Sequence, residues 1–214
     1  MANNTFDLVN YIEELAKETK LNPELLDMVD ILKQAKAGVK LDHRYMHGET
    51  NAEYNNDTNT ITMNSFRDPL SKSYQRTLTH EVSHAVDNVL GNAHVEFSRN
   101  VRQGKATEAQ RRYTDTYSKI TPYRSTLALE SRKKDGAVAG KYDDYRYRGS
   151  ELRAFGVGNI TSPLSSGYPV PDHIDATMAT EAAIQRDMYR RAIASEKAKV
   201  PDVKTENWLY KLFN

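Results

Sequence analysis

The sequence predicts an α+β fold that is mostly helical, with a small mixed sheet packed on one long helix. Three observations lead there. Apolar residues recur at helical spacing over about 5–20, 23–38, 71–90 and 177–199. Between the second and third of these, "VKLDHRYMH" (39–47) alternates and "NTITMN" (59–64) is rich in β-branched residues, which are strand signals. No run comes near the roughly 20 apolar residues of a membrane-spanning helix.

In chain order, the first helix places Phe6, Val9, Ile12, Leu15 and Ala16 on one face. The second opens at "NPE", with Asn22 as N-cap, Pro23 at the first helical position and Glu24 in the first turn, and stops at Gly38. The turn "NNDT" precedes the 59–64 strand. A long helix from about Ser71 to Leu90 is closed by Gly91. Residues 105–133 read as helical with a break near Pro122, and "KKDGAVAGKYDD" as a flexible connection. A short helix starts at Ser150, "TSPLSSGYPVPD" is a loop, and a last helix ends before Pro201. The organisation expected is a helical pair over 1–38, a core over 39–160, and a C-terminal loop and helix over 161–214 packing on it as one compact unit.

Thirty basic and twenty-nine acidic side chains leave a formal charge of +1, so no overall field draws the chain to nucleic acid or an anionic membrane. The mixtures "RRYTDTY" and "YRYRG" could grip a single strand, but acidic residues lie among or beside them, and no nucleic-acid partner is expected. With no cysteine, disulfides, thiolate ligands and a cysteine nucleophile are excluded. Any metal must be held by His, Asp, Glu or backbone oxygen. "MANNTFDLVNYIEELAKETK" lacks the basic start and apolar run of a secretion signal, which predicts a cytoplasmic protein.

The chemistry concentrates in "SYQRTLTHEVSHAVDNVLG", residues 73–91. At about 100° per residue, with His80 at zero, His84 falls at about 40° and Asp87 at about 340°. Tyr74, Leu78, Val82, Ala85 and Val89 fall between about 120° and 200°, an apolar stripe on the opposite side. The helix has its own burial face and the histidines are not on it. Imidazoles four residues apart can converge on one ion. Glu81, at about 100°, flanks the pair and can reach a water bound to that ion.

HEVSH inside a helix resembles the zinc-binding helix of the zincin metallopeptidases (HExxH). The longer "HEVSHAVDNVLG" is similar to lethal-factor-like toxin peptidases, which also carry Asp three residues after the second His, and to small phage-encoded zincins. The resemblance covers about 58–91 and 145–156. It implies a zinc metallopeptidase that hydrolyses a peptide or protein substrate through a metal-activated water, with His80 and His84 as ligands and Glu81 as general base. A metzincin would carry Gly at 87 and His at 90, where this chain has Asp87 and Leu90. The gluzincin pattern instead takes its third ligand from a Glu on a later helix. "GSELRAFGVGN" resembles the E-x-x-A motif, with Ser150 as N-cap and Glu151 as the ligand; Asp143 and Asp144 are weaker candidates. Asp87 would accept a ligand imidazole N–H or pair with a nearby Arg. A Tyr shortly before the Glu ligand steadies the oxyanion in the toxin-like enzymes, which points to Tyr145 or Tyr147 over Tyr142, with His173 a weaker donor. The strand before the helix, "NTITMN", would form the edge of the cleft and pair with extended substrate.

Two rivals share these residues. One is a non-enzymatic structural or assembly component, for instance of a phage particle, with protein partners and a virion-associated setting. The other is zinc hydrolysis of a non-peptide amide such as a cell-wall bond. His43 and His47 read as a solvated pair on one strand face, and His94 as a loop residue.

Overall fold

The computed structural model describes residues 4–47, 51–120, 149–161 and 172–198. The fold is α+β and mostly helical, with a mixed four-stranded sheet. The chain opens with strand β1 (Asn4–Asp7), not with the start of a helix. Helix α1 (Leu8–Glu18) begins where the Asp7 side chain accepts the Asn10 N–H at 3.0 Å, and it buries Leu8, Ile12 and Leu15. Helix α2 (Pro23–Ala35) is capped as its sequence requires, with Asn22 Oδ1 accepting the Glu24 N–H at 2.9 Å. Its stop comes earlier than Gly38: Lys36 takes the left-handed conformation at φ 51°, and Gly38 (φ 61°) is a second left-handed residue just beyond.

Strands β2 (Lys40–Arg44), β3 (Ala52–Asn55) and β4 (Thr60–Asn64) complete the sheet in the order β1-β2-β4-β3. β2 pairs parallel with β4, Leu41 opposite Ile61 and His43 opposite Met63; the other two pairings are antiparallel. Leu41, Ile61 and Met63 are fully buried, each worth about 1.5–3 kcal/mol of apolar burial. β4 is therefore an internal strand with a partner on each side. The expectation that "NTITMN" forms a sheet edge is wrong; among the described residues β3 lies at that end of the sheet.

Helix α3 (Lys72–Arg102) starts at Ser71, whose Oγ accepts the Tyr74 N–H at 3.1 Å, and packs on the sheet through β3 and β4. It does not end at Gly91 but runs on to Arg102, with Gln103 as its C-cap and Gly104 left-handed at φ 68° just beyond. Gly91 serves packing: a Cβ there would lie 3.2 Å from the Tyr117 hydroxyl. Tyr117 belongs to helix α4 (108–120), capped reciprocally by the Thr107 hydroxyl on the Gln110 N–H and by Gln110 Oε1 on the Thr107 N–H, both 3.0 Å.

Helix α5 (Gly149–Thr161) lies against both α3 and the last helix, α6 (Asp172–Lys197). Polar ties fix α6 to α2. The fully buried Arg186 places Nε 2.6 Å from Asp27 Oδ2 and also pairs with Glu24, while Arg190 pairs with Asp27 and Asp30. No helix among the described residues is long and apolar enough to cross a membrane.

Candidate metal centre

His80 and His84 stand one turn apart on α3, their Nε2 atoms 3.2 Å from each other and their rings edge to face at 4.9 Å between centroids. Glu151 comes from a segment about seventy residues later, yet its Oε2 lies 3.3 Å from His80 Nε2 and 3.4 Å from His84 Nε2. Three electron-pair donors thus form a nearly equilateral triangle. Donors about 2.0–2.1 Å from one tetrahedral ion would stand about 3.3–3.4 Å apart, which is the spacing found. Two imidazoles and one carboxylate are a donor set suited to zinc, so residues and geometry both fit the ion. His80, His84 and Glu151 form a group able to hold a metal ion. Their side chains are only 11%, 14% and 11% exposed, so three lone pairs pointed at one spot away from water call for a cation there, a proton or a metal.

Each side chain is placed by ordinary packing. The apolar stripe of α3 buries Tyr74, Leu78, Val82 and Ala85 toward the core, which turns His80 and His84 toward α5. The histidine side of α3 is covered too, because α5 lies on it. Phe155 presents its ring edge to His80 at 4.5 Å between centroids. At Gly158 the two helices cross closely, a Cβ there meeting the Arg76 carbonyl at 3.4 Å and His80 Cβ at 3.8 Å. Glu151 lies in the first turn of α5, as the sequence suggests; the helix starts at Gly149, so Ser150 is inside it and not its cap.

Glu81 is 6% exposed and points between the triangle and strand β3. Burial pushes its carboxyl above the usual range and the Glu151 charge adds to that, while His80, His84 and a hydrogen bond from the Tyr54 backbone N–H pull the other way. That bond follows from the register of the sheet. The Asn64 N–H donates to the Asn51 carbonyl at 2.9 Å, so residues 51, 53 and 55 turn their backbone groups toward β4. Ala52 and Tyr54 turn theirs outward. The Tyr54 side chain is fixed as well, donating to Asn59 Oδ1 at 2.9 Å and accepting from Asn88 Nδ2 at 3.2 Å. For His84, burial lowers the pKa, but Glu151, Glu81 and Asp87 outweigh it and the result is raised.

Asp87 meets an arginine, as one of its two readings holds: its Oδ1 is 2.5 Å from Arg153 Nη1. Tyr142, Asp143, Asp144, Tyr145 and Tyr147 lie outside the described residues. His173 falls in the first turn of α6 and not in a loop, with its side chain outside the described residues. His43 is not merely solvated: it is half-buried, and its Nε2 lies 2.7 Å from the Tyr74 hydroxyl, which is 3.1 Å from that of Tyr11. β2 ends before His47, which packs edge-on against Tyr45 at 4.6 Å. His94 is no loop residue; it sits within α3, stacked on Tyr117 at 4.5 Å. Sequence reasoning missed Tyr54, whose contribution is a backbone N–H that no side chain reveals. It also missed Arg153, which reads as an ordinary helix-surface cation. Comparison of the chain with family models, with curated proteins and with solved structures finds no match.

Proposed function

We propose that the protein is a zinc-dependent peptidase of gluzincin type, in which His80, His84 and Glu151 hold the ion and Glu81 is the general base. Zinc held there would polarise the scissile carbonyl and acidify the attacking water. The observation that carries the reading is the placement of Glu81. A metal with a purely structural task has no use for a carboxylate buried beside its ligands and steered by a strand N–H. Burial raises the pKa of Glu81 toward the range in which a carboxylate works as a base near neutrality. Its carboxylate takes the proton of the attacking water and hands it to the departing amine, while the Tyr54 N–H keeps the group oriented.

Strand β3 favours a peptide over other amides. Among the described residues it is the end strand of the sheet on the side where Glu81 lies, and the outward N–H and C=O of Ala52 and the outward C=O of Tyr54 face away from β4. An extended chain added along that edge would satisfy those groups, the mode by which sheet edges recognise peptides.

The test is cleavage of a broad peptide library, and of cell-wall fragments, by the zinc-loaded protein. The expected result is peptide hydrolysis that a chelator stops and that Glu81→Gln lowers by about 10²–10⁴ while zinc stoichiometry is kept. Zinc binding without hydrolysis of any peptide would overturn the peptidase reading in favour of an assembly component. Cleavage of the cell-wall fragments alone would leave the base and ligands in place and change the substrate class.

A further inference from the structure

The helix that supplies Glu151 meets the histidine helix at a second polar point, one turn from the first. Arg153 follows Glu151 by two residues and is 1% exposed, among the largest fully buried side chains of the described residues. Its Nη1 is 2.5 Å from Oδ1 of Asp87, which follows His84 by three residues on α3. Asp87 thus lies about one turn beyond one member of the donor triangle, and Arg153 two residues beyond another.

We propose that Arg153 is a positioning residue of the metal centre: by holding Asp87, it fixes the rotation and height of α5 on α3 and so keeps the Glu151 carboxylate at the third corner. The inference rests on the zinc reading above. Three observations support it. Glu151 lies in the first turn of its helix, and helix ends open more easily than middles. Second, the apolar neighbours Leu152, Ala154 and Val157 are fully buried, but such contacts are non-directional and tolerate sliding. A guanidinium on a carboxylate admits few geometries and therefore sets the register. A buried pair of this kind adds little stability over an apolar pair of the same size, so a specifying role accounts for it better than a stabilising one.

The third observation is charge. Glu81, Glu151 and Asp87 all act on His84, so three carboxylates gather around two imidazoles. Asp87 is an anion within one turn of His84. The Arg153 guanidinium offsets its charge, and Asp87 is not a member of the metal-holding group.

The experiment measures zinc affinity by competition with a chromophoric chelator, and the visible spectrum of the cobalt(II)-substituted protein, for wild type and three variants of the full chain. Arg153→Met removes the guanidinium and with it this ion pair. The double variant Asp87→Leu/Arg153→Met replaces the pair with apolar groups, so it folds even where the single variant does not. Arg153→Lys keeps the charge. The expected result is a loss of about 10–100-fold in zinc affinity for Arg153→Met and for the double variant, the range typical of groups that orient a ligand. Both should also show a weakened, altered cobalt spectrum, and Arg153→Lys should recover most of the affinity. A folded double variant that binds zinc as tightly as wild type, with the wild-type cobalt spectrum, would overturn the inference and leave the zinc reading standing. A wild-type protein that takes up neither metal would overturn both.

Discussion

The donor triangle leads to a prediction about pH that distinguishes a metal centre from a fortuitous polar cluster. Two imidazole nitrogens and a carboxylate oxygen lie 3.2–3.4 Å apart, largely shielded from water. Without metal, protonation of His84 is favoured, because its pKa is raised: burial opposes the proton, and Glu151, Glu81 and Asp87 together outweigh burial. A histidine with a folded pKa above its unfolded value of about 6.5 adds stability that is full below that value and lost as pH rises through the folded pKa. The metal-free protein should therefore melt at a lower temperature at pH 8 than at pH 6. Zinc replaces the proton, so its stabilising increment should grow over the same window. With zinc at about one hundred times its Kd the increment is about 2.7 kcal/mol. At about 2–4 °C per kcal/mol for a chain of this size, this is roughly 5–11 °C in Tm. The assay is thermal denaturation followed by circular dichroism at pH 6, 7 and 8, with and without zinc, for wild type and His84→Ala. His84→Ala should lose the zinc increment, because two donors remain of three, and should show a smaller fall in metal-free Tm with pH. A zinc increment that shrinks from pH 6 to pH 8, or that survives in His84→Ala, would refute the reasoning.

Two further outcomes follow from the same geometry. Glu81 also has a raised folded pKa, so its ionised form near neutral pH weakens the fold. The metal-free Glu81→Gln protein should be more stable than wild type by about 0.5–2 kcal/mol at pH 7–8, a difference that narrows as pH falls and Glu81 gains its proton; urea denaturation at three pH values measures it. Gly158→Leu would drive a branched side chain into the Arg76 carbonyl and His80 Cβ, forcing α5 off α3; zinc affinity should fall at least tenfold while α1 and α2 keep their far-ultraviolet signal.

The local chemistry of this fold was legible because it is written at short range. Asn22 and Pro23 open α2 as their types require, and the four-residue spacing of His80 and His84 gives a shared face wherever the helix lies. What could not be read was decided by partners distant in sequence. The strand "NTITMN" has the composition of a substrate-pairing edge, yet its parallel pairing with β2 and antiparallel pairing with β3 put it inside the sheet. Gly91 looked like a helix stop, since glycine costs about 1 kcal/mol within a helix. Here the Tyr117 hydroxyl needs the room that a missing Cβ leaves, and packing outweighed propensity. The strand at Asn4–Asp7 was absorbed into the first helix because four residues carry too little alternation to signal a strand.

The site divides in the same way, and the division has a physical basis. Types and spacings on one helix mark two candidate ligands and a candidate base. Glu151 is singled out in sequence only by the resemblance of its segment to an E-x-x-A motif, since an acidic residue in a helical first turn is otherwise common. What separates it is the company of residues that sequence renders as bland: Phe155 against the His80 ring, Gly158 at the helix crossing, and Arg153 on Asp87. Each is a contact between α5 and α3 beside the 3.3 and 3.4 Å approaches of Glu151. Catalytic groups announce themselves by their chemistry, whereas the residues that aim them use ordinary chemistry in an uncommon place. A buried arginine is such a case, because the sequence records the side chain but not the helix that folds over it.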